Sequence, residues 1–149
     1  MERTISFKER RYIEELRILT KSTAIDCIID DRFDRVIYII KPGDMGIAIG
    51  KHGDNIRKMQ KVLGKRIEMV EYADEPVDFI RNIFKPAEVT AVHLPQDTNN
   101  GIRVNVRSKS DVGIAIGKGG CTIEKARIIT RRYFGNETGE ISIEEDHGA

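Results

Sequence analysis

Gly46-Ile47-Ala48-Ile49-Gly50-Lys51 occurs a second time, letter for letter, as Gly113-Ile114-Ala115-Ile116-Gly117-Lys118, 67 residues further along the chain. The match continues as His52-Gly53-x-x-Ile56 against Gly119-Gly120-x-x-Ile123. Glycine makes up roughly 7% of average sequence, so a single Gly-x-x-Gly carries little information. A duplicated hexapeptide, followed in register by a second glycine and an isoleucine, marks two copies of one unit.

Working outward from the first copy, Ser6-Phe7-Lys8-Glu9 has the Ser-x-x-Glu form of a capping box and predicts a helix to about Thr20. Ile13, Leu16 and Leu19 are its expected buried positions. Two apolar runs, Ala24–Ile29 and Val36–Ile40, flank the polar turn Asp30-Asp31-Arg32 and read as strands. After Pro42-Gly43-Asp44 come a short helix through Ile49, the glycine loop at 50–53, a helix over Asp54–Leu63 and a strand over Arg66–Tyr72. The second copy repeats the order. Asp74-Glu75-Pro76 starts a helix that runs to Phe84 and stops before Pro86. Strands Val89–Leu94 and Ile102–Val106 flank a turn at 95–101, and the second alternates, with Ile102, Val104 and Val106 inward. A short helix, the loop at 117–120, a helix to about Phe134 and a strand over Glu140–Ile143 complete it. The fold class is therefore α+β, with units 1–73 and 74–149. The join near Ala73 is too short to act as a flexible linker, and the halves are expected to pack against each other.

Ile49-Gly50-Lys51-His52-Gly53-Asp54-Asn55-Ile56 and Ile116-Gly117-Lys118-Gly119-Gly120-Cys121-Thr122-Ile123 resemble the signature of KH domains, Ile-Gly-x-x-Gly-x-x-Ile. The physics fits. A nucleic-acid backbone approaches a peptide backbone closely only where side chains are absent. The loop feeds a helix N-terminus, whose positive end favours phosphate, and Lys51 and Lys118 add a mobile charge there. Neither variable loop position is acidic. Only one strand fits in the 29 residues after Gly120 once the long helix is placed, which is the type II arrangement. The resemblance implies single-stranded RNA held in a groove of about four nucleotides per unit. The implied contact residues are Ile49, Gly50, Lys51, His52, Gly53, Ile56 and Arg57 in the first unit. In the second they are Ile116, Gly117, Lys118, Gly119, Gly120 and Ile123. Asp54 after the first loop is less welcome to phosphate than Cys121 after the second, and reads as an N-cap. The second loop is accordingly expected to contribute more affinity.

Charge supports a polyanionic partner despite a net charge of only +1. Lys41, Lys51, Arg57, Lys58, Lys61, Lys65 and Arg66 face only Asp44 and Asp54 between residues 41 and 66. The stretch 103–132 is similarly basic, while the acids gather at 68–78 and 137–146, so a neutral total hides two positive regions. A mixed, solvated surface would give the same totals. The segment 68–78 also admits a protein-docking reading, in which the fold acts as a scaffold rather than as an RNA grip.

Nucleotide chemistry is excluded by spacing. A phosphate-binding Walker loop needs glycine five positions before the Gly of Gly-Lys and Ser or Thr after the Lys. Those places hold Met45 and Val112, then His52 and Gly119. No catalytic constellation involves His52, His93 or His147, so no enzyme activity and no cofactor or metal is expected. Cys27 and Cys121 lie far apart and read as reduced thiols. With no membrane-length apolar run and no signal-peptide pattern, a cytoplasmic location is expected.

The segments 41–51 (KPGDMGIAIGK) and 84–89 (FKPAEV), with the tight tandem spacing, resemble the KH pair of NusA-type transcription factors over essentially the whole chain. The small form is similar to the archaeal version, which is little more than that pair. Bacterial relatives add a polymerase-binding domain and an oligonucleotide-binding barrel, neither of which this sequence shows. The resemblance implies a protein that binds RNA and modulates elongation, pausing, termination or antitermination, and a monomer is expected. RNA polymerase is a partner by resemblance only.

Overall fold

The computed structural model describes residues 4–95, 101–135 and 138–147. The chain divides into two compact units between Ala73 and Asp74. In the first unit, helix α1 (Phe7–Thr20) leads into strands β1 (Ala24–Asp30) and β2 (Arg35–Ile40), helices α2 (Met45–Ile49) and α3 (Asp54–Leu63), and strand β3 (Arg66–Glu71). β1 pairs antiparallel with β2, and β2 pairs parallel with β3. The second unit has helix α4 (Pro76–Phe84), strands β4 (Val89–His93) and β5 (Ile102–Val106), helices α5 (Lys109–Ile116) and α6 (Cys121–Phe134), and strand β6 (Ile141–Glu145). Its sheet has the same order, β4-β5-β6, and the same mixture of senses. A parallel pair needs a long crossover, and here the two-helix hairpin carrying the glycine loop provides it.

The Ser6 cap forms as expected. The Glu9 amide donates to the Ser6 hydroxyl at 3.1 Å and the Ser6 amide to the Glu9 carboxylate at 2.9 Å. The buried stripe of α1 is Tyr12, Leu16 and Thr20, an i, i+4, i+8 row, which corrects the expectation for Leu19. Leu19 is exposed, whereas Ile13 packs at the edge of the core. Tyr12 takes its place in the buried row, and the Tyr38 hydroxyl donates to the Tyr12 carbonyl at 2.7 Å, fastening α1 to β2. Burial pushes the Tyr38 phenol far above its ordinary pKa. Tyr12, Leu16, Ala24, Cys27, Val36, Tyr38, Ile40, Ala48, Met59 and Ile67 form the first core, with Met45 and Met69 packed at its edge. In the second unit Phe79 sets its ring edge-on against Tyr133 at 5.1 Å and Phe134 at 6.3 Å, joining α4 to α6.

The two middle strands differ. β5 alternates as read, with Ile102, Val104 and Val106 buried, whereas every residue of β2 is buried, Arg35 included. From Val36 to Ile40, β2 therefore reads as a continuous apolar run rather than an alternation. The final strand starts one residue later than expected and runs to Glu145. Of the turn expected at 95–101, residues 96–100 lie outside the described residues, as does Glu137 in the acidic cluster. Cys27 and Cys121 are free thiols. Among the described residues no helix is long and apolar enough to cross a membrane.

Candidate nucleic-acid interface

Each glycine loop joins the C-terminus of a short helix to the N-terminus of a longer one. Gly50 and Gly117 end α2 and α5 by donating to the carbonyls of Gly46 and Gly113, both at 2.9 Å. A four-residue turn follows, closed by Gly53 N–H to Gly50 carbonyl and by Gly120 N–H to Gly117 carbonyl, each 3.0 Å. The backbones agree closely. Gly50 and Gly117 hold φ/ψ of 77°/168° and 79°/166°. The third loop residue is left-handed in both, at 55°/25° for His52 and 64°/16° for Gly119. A turn of this kind wants glycine at its third residue. Glycine is there in the second loop, and a histidine is strained into the same shape in the first.

The geometry gives the first glycine a different reason from the one inferred from sequence. A Cβ on Gly50 would lie 2.9 Å from the Asn55 amide nitrogen, and one on Gly117 would lie 2.7 Å from that of Thr122. The first glycine is thus required by the chain's own next helix, which packs against it. A Cβ on Gly120 would meet nothing closer than 3.9 Å. In the second loop that side of the turn is open to close approach by a ligand backbone, whereas in the first a Cβ on Gly53 would lie 3.2 Å from the Arg57 guanidinium.

Lys51 and Lys118 are exposed, as are His52 and Gly119. Neither lysine is ion-paired among the described residues, so both ammonium groups are available to phosphate. The Asp54 and Cys121 amides, which open α3 and α6, already donate to the Lys51 and Lys118 carbonyls. The loop's offer to an anion is therefore the lysine charge and the positive end of the helix dipole more than unpaired amides.

Asp54 is not an N-cap. Gly53 occupies that position and Asp54 is the first helical residue, ion-paired with Arg57. The pair occupies one of the expected RNA contacts, Arg57. In the second copy the place of Arg57 is taken by Glu124, which pairs with Arg127 at 3.2 Å. Each loop thus has one acid in the following turn, three residues nearer in the first copy.

Ile49, Ile56 and Ile123 are half-buried, whereas Ile116 is exposed. The seating of the short helices is done instead by Ala48 and Ala115, both fully buried. Ile47 and Ile114 were not among the residues singled out from sequence, yet each leaves a large apolar side chain in water beside its loop, 51% and 41% exposed. Their identity in both copies of the hexapeptide is the signal that could have found them.

Comparison with known proteins accords with this geometry. A KH domain model matches residues 9–94. The probable transcription termination protein NusA of Halococcus morrhuae is 35% identical over 131 residues, spanning 88% of this chain and 92% of that protein. The chain belongs to the archaeal NusA family of KH-domain proteins. The bacterial branch is also detectable. The transcription termination/antitermination protein NusA of Mycobacterium tuberculosis is 33% identical over 87 residues, 58% of this chain but 24% of that protein. Among solved structures, the crystal structure of APE1850 matches with a TM-score of 0.78 and 33% identity, covering 93% of this chain and 99% of that one. Within this NusA-type chain both Gly-Lys-x-Gly turns are complete.

Proposed function

We propose that this chain is a single-stranded RNA-binding transcription factor of NusA type, built from two tandem type II KH domains over 1–73 and 74–149. The observation that carries the reading is the pair of loops. Two turns with the same backbone, each with an exposed lysine at a helix N-terminus that makes no ion pair among the described residues, are suited to two phosphate segments of a nucleic-acid strand. Single-stranded RNA follows from the KH family, whose grooves take splayed bases rather than a duplex. Each site comprises Gly50, Lys51, His52 and Gly53 or Gly117, Lys118, Gly119 and Gly120, with the neighbouring isoleucines beneath the bases. Arg57 is released from Asp54 as phosphate arrives.

The names borne by the relatives support a role in transcription, where the chain modulates elongation, pausing, termination or antitermination. It binds rather than catalyses, acts as a monomer in the cytoplasm where transcripts emerge, and has RNA polymerase as the protein partner to test. β3 ends at Glu71 and α4 begins at Pro76, so the two units that carry the sites are joined by only a few residues of chain. One strand that reaches both then gains from high effective concentration.

The test is fluorescence anisotropy of single-stranded RNA with wild type and Lys51→Asp/Lys118→Asp across a salt series. Binding should weaken as salt rises, through counterion release, and vanish in the double variant. Binding that survives both reversals contradicts the proposal and directs attention to the acidic segment 68–78 as a scaffold surface.

A further inference from the structure

We propose that Asp44 and Asp111 are positioning residues for the RNA grip, each clamping the helix that carries its glycine loop to the chain entering the first strand of its sheet. The inference rests on the RNA-binding reading above. Asp44 immediately precedes α2, where an aspartate ordinarily accepts from the first amides of its own helix. Here it makes no such bond. Its Oδ2 accepts the Thr23 amide at 2.9 Å instead, and the Thr23 carbonyl accepts the Lys41 amide, also at 2.9 Å. Two bonds thus join the residue before β1 to the connection between β2 and α2.

Asp111 makes the same clamp. Its Oδ1 accepts the Glu88 amide at 3.1 Å, and the Glu88 carbonyl accepts the Arg107 amide at 2.9 Å. The local setting is different. The second copy carries one more residue between strand and loop, and α5 is eight residues long with Ser108 as its cap. Asp111 therefore lies inside the first turn, whereas Asp44 lies before its helix. A capping aspartate would follow the helix start. These two follow the loop, each six residues ahead of its first glycine. The Ser108 hydroxyl donates to the other Asp111 oxygen at 2.8 Å, and this bond, with the Glu88 amide, holds the Asp111 carboxyl below its ordinary pKa.

A clamp is needed because α2 has only five residues, too few to hold its own place. Its far end is fixed by the Asn55 side-chain amide, which donates to the Ile47 carbonyl at 2.8 Å. Its near end is fixed by Asp44. A negative charge one and a half turns from a phosphate site works against affinity, so a role in binding must come through geometry. That gives the role a signature. Asparagine keeps the oxygen acceptor and drops the charge, whereas alanine loses both.

The test uses the full chain carrying Lys118→Asp, which leaves the first loop as the intact site, and a hexanucleotide RNA read by anisotropy. Thermal unfolding identifies a temperature at which every variant is folded. Asp44→Ala should weaken binding about 5- to 10-fold, as the loss of one hydrogen bond would. Asp44→Asn should bind within about twofold of its parent or more tightly. Should Asp44→Ala fail to fold, Asp111→Ala and Asp111→Asn in the Lys51→Asp chain repeat the test. Asparagine keeps the acceptor for the Glu88 amide, so Asp111→Asn should bind within about twofold of its parent while Asp111→Ala binds more weakly. Folded alanine variants that bind like their parents overturn the positioning role while leaving the RNA reading intact. Absence of binding by wild type itself overturns the RNA reading, and the role with it.

Discussion

At the third position of the first loop His52 holds φ +55°, and at the same position of the second Gly119 holds +64°. The backbone is the same and the side chains are not. The left-handed region disfavours a β-carbon by about 1–2 kcal/mol, yet the first loop keeps the shape. The turn is thus imposed by what brackets it: glycine packed on the next helix, and a short helix fixed at both ends. The strand ends of the two units differ in a similar way. Arg35 opens β2 with its side chain fully buried, donating to Asp30 at 2.7 Å and Glu68 at 3.1 Å, with its guanidinium 4.9 Å from the Phe33 ring. In the second unit Ile102 pairs with Ile141 as Val36 pairs with Ile67, so the place of Arg35 falls to Gly101. A Cβ there would lie 2.2 Å from the Glu140 carbonyl oxygen. One sheet closes its end with charges and the other with a backbone crossing that admits no side chain. The loop geometry is held constant while the means of support vary.

The comparison is broken most severely at the strand end. Arg35→Met strands Asp30 in a buried site and should destabilise the protein by about 3–5 kcal/mol, measured by chemical unfolding. Next comes the contrast between glycines within one loop. Gly117→Ala forces a Cβ onto the Thr122 backbone at a φ/ψ reserved for glycine, and about 2–3 kcal/mol of destabilisation is expected. Gly120→Ala meets open space and should cost only about 1 kcal/mol. Equal losses from the two would remove the packing role given to the first glycine. The lysines sharpen the contrast between loops. Lys118→Asp should lower RNA affinity about tenfold and Lys51→Asp about threefold, since Asp54 stands closer to its loop than Glu124 does. A larger loss from Lys51→Asp would reverse that ranking. The smallest effect is at the strained histidine. His52→Gly should stabilise by about 0.5 kcal/mol, the relieved strain being partly offset by the entropy of a freer unfolded chain.

Much of the fold was legible because the repeat carries its own control. Every helix and strand could be checked against its counterpart, and Pro76, Ser6 and the alternation at 102–106 placed elements that formed within a residue or two. The stripe of α1 was not fully legible, since periodicity alone does not choose between Tyr12 and Leu19. The helix is set by packing on β1 and β2, where the Tyr12 carbonyl accepts from Tyr38, 26 residues away. Asp54 misled for a related reason. Glycine can occupy the cap position itself, which moves the aspartate one place into the helix. The position and limits of the two loops were legible in the repeat. What the sequence did not disclose is why the first glycine is fixed, or that Asp44 and Asp111 reach back to the start of the sheet. Both depend on contacts between segments that only the fold brings together.

The most direct test of the central claim is a titration of the isotope-labelled chain with a short single-stranded RNA, followed by amide chemical shifts. The account predicts that the largest shifts fall at residues 50–57 and 117–123, in both copies, and are abolished by Lys51→Asp/Lys118→Asp. Shifts confined to the acidic segment 68–78 or to the exposed face of α1, with both loops unmoved, would contradict it.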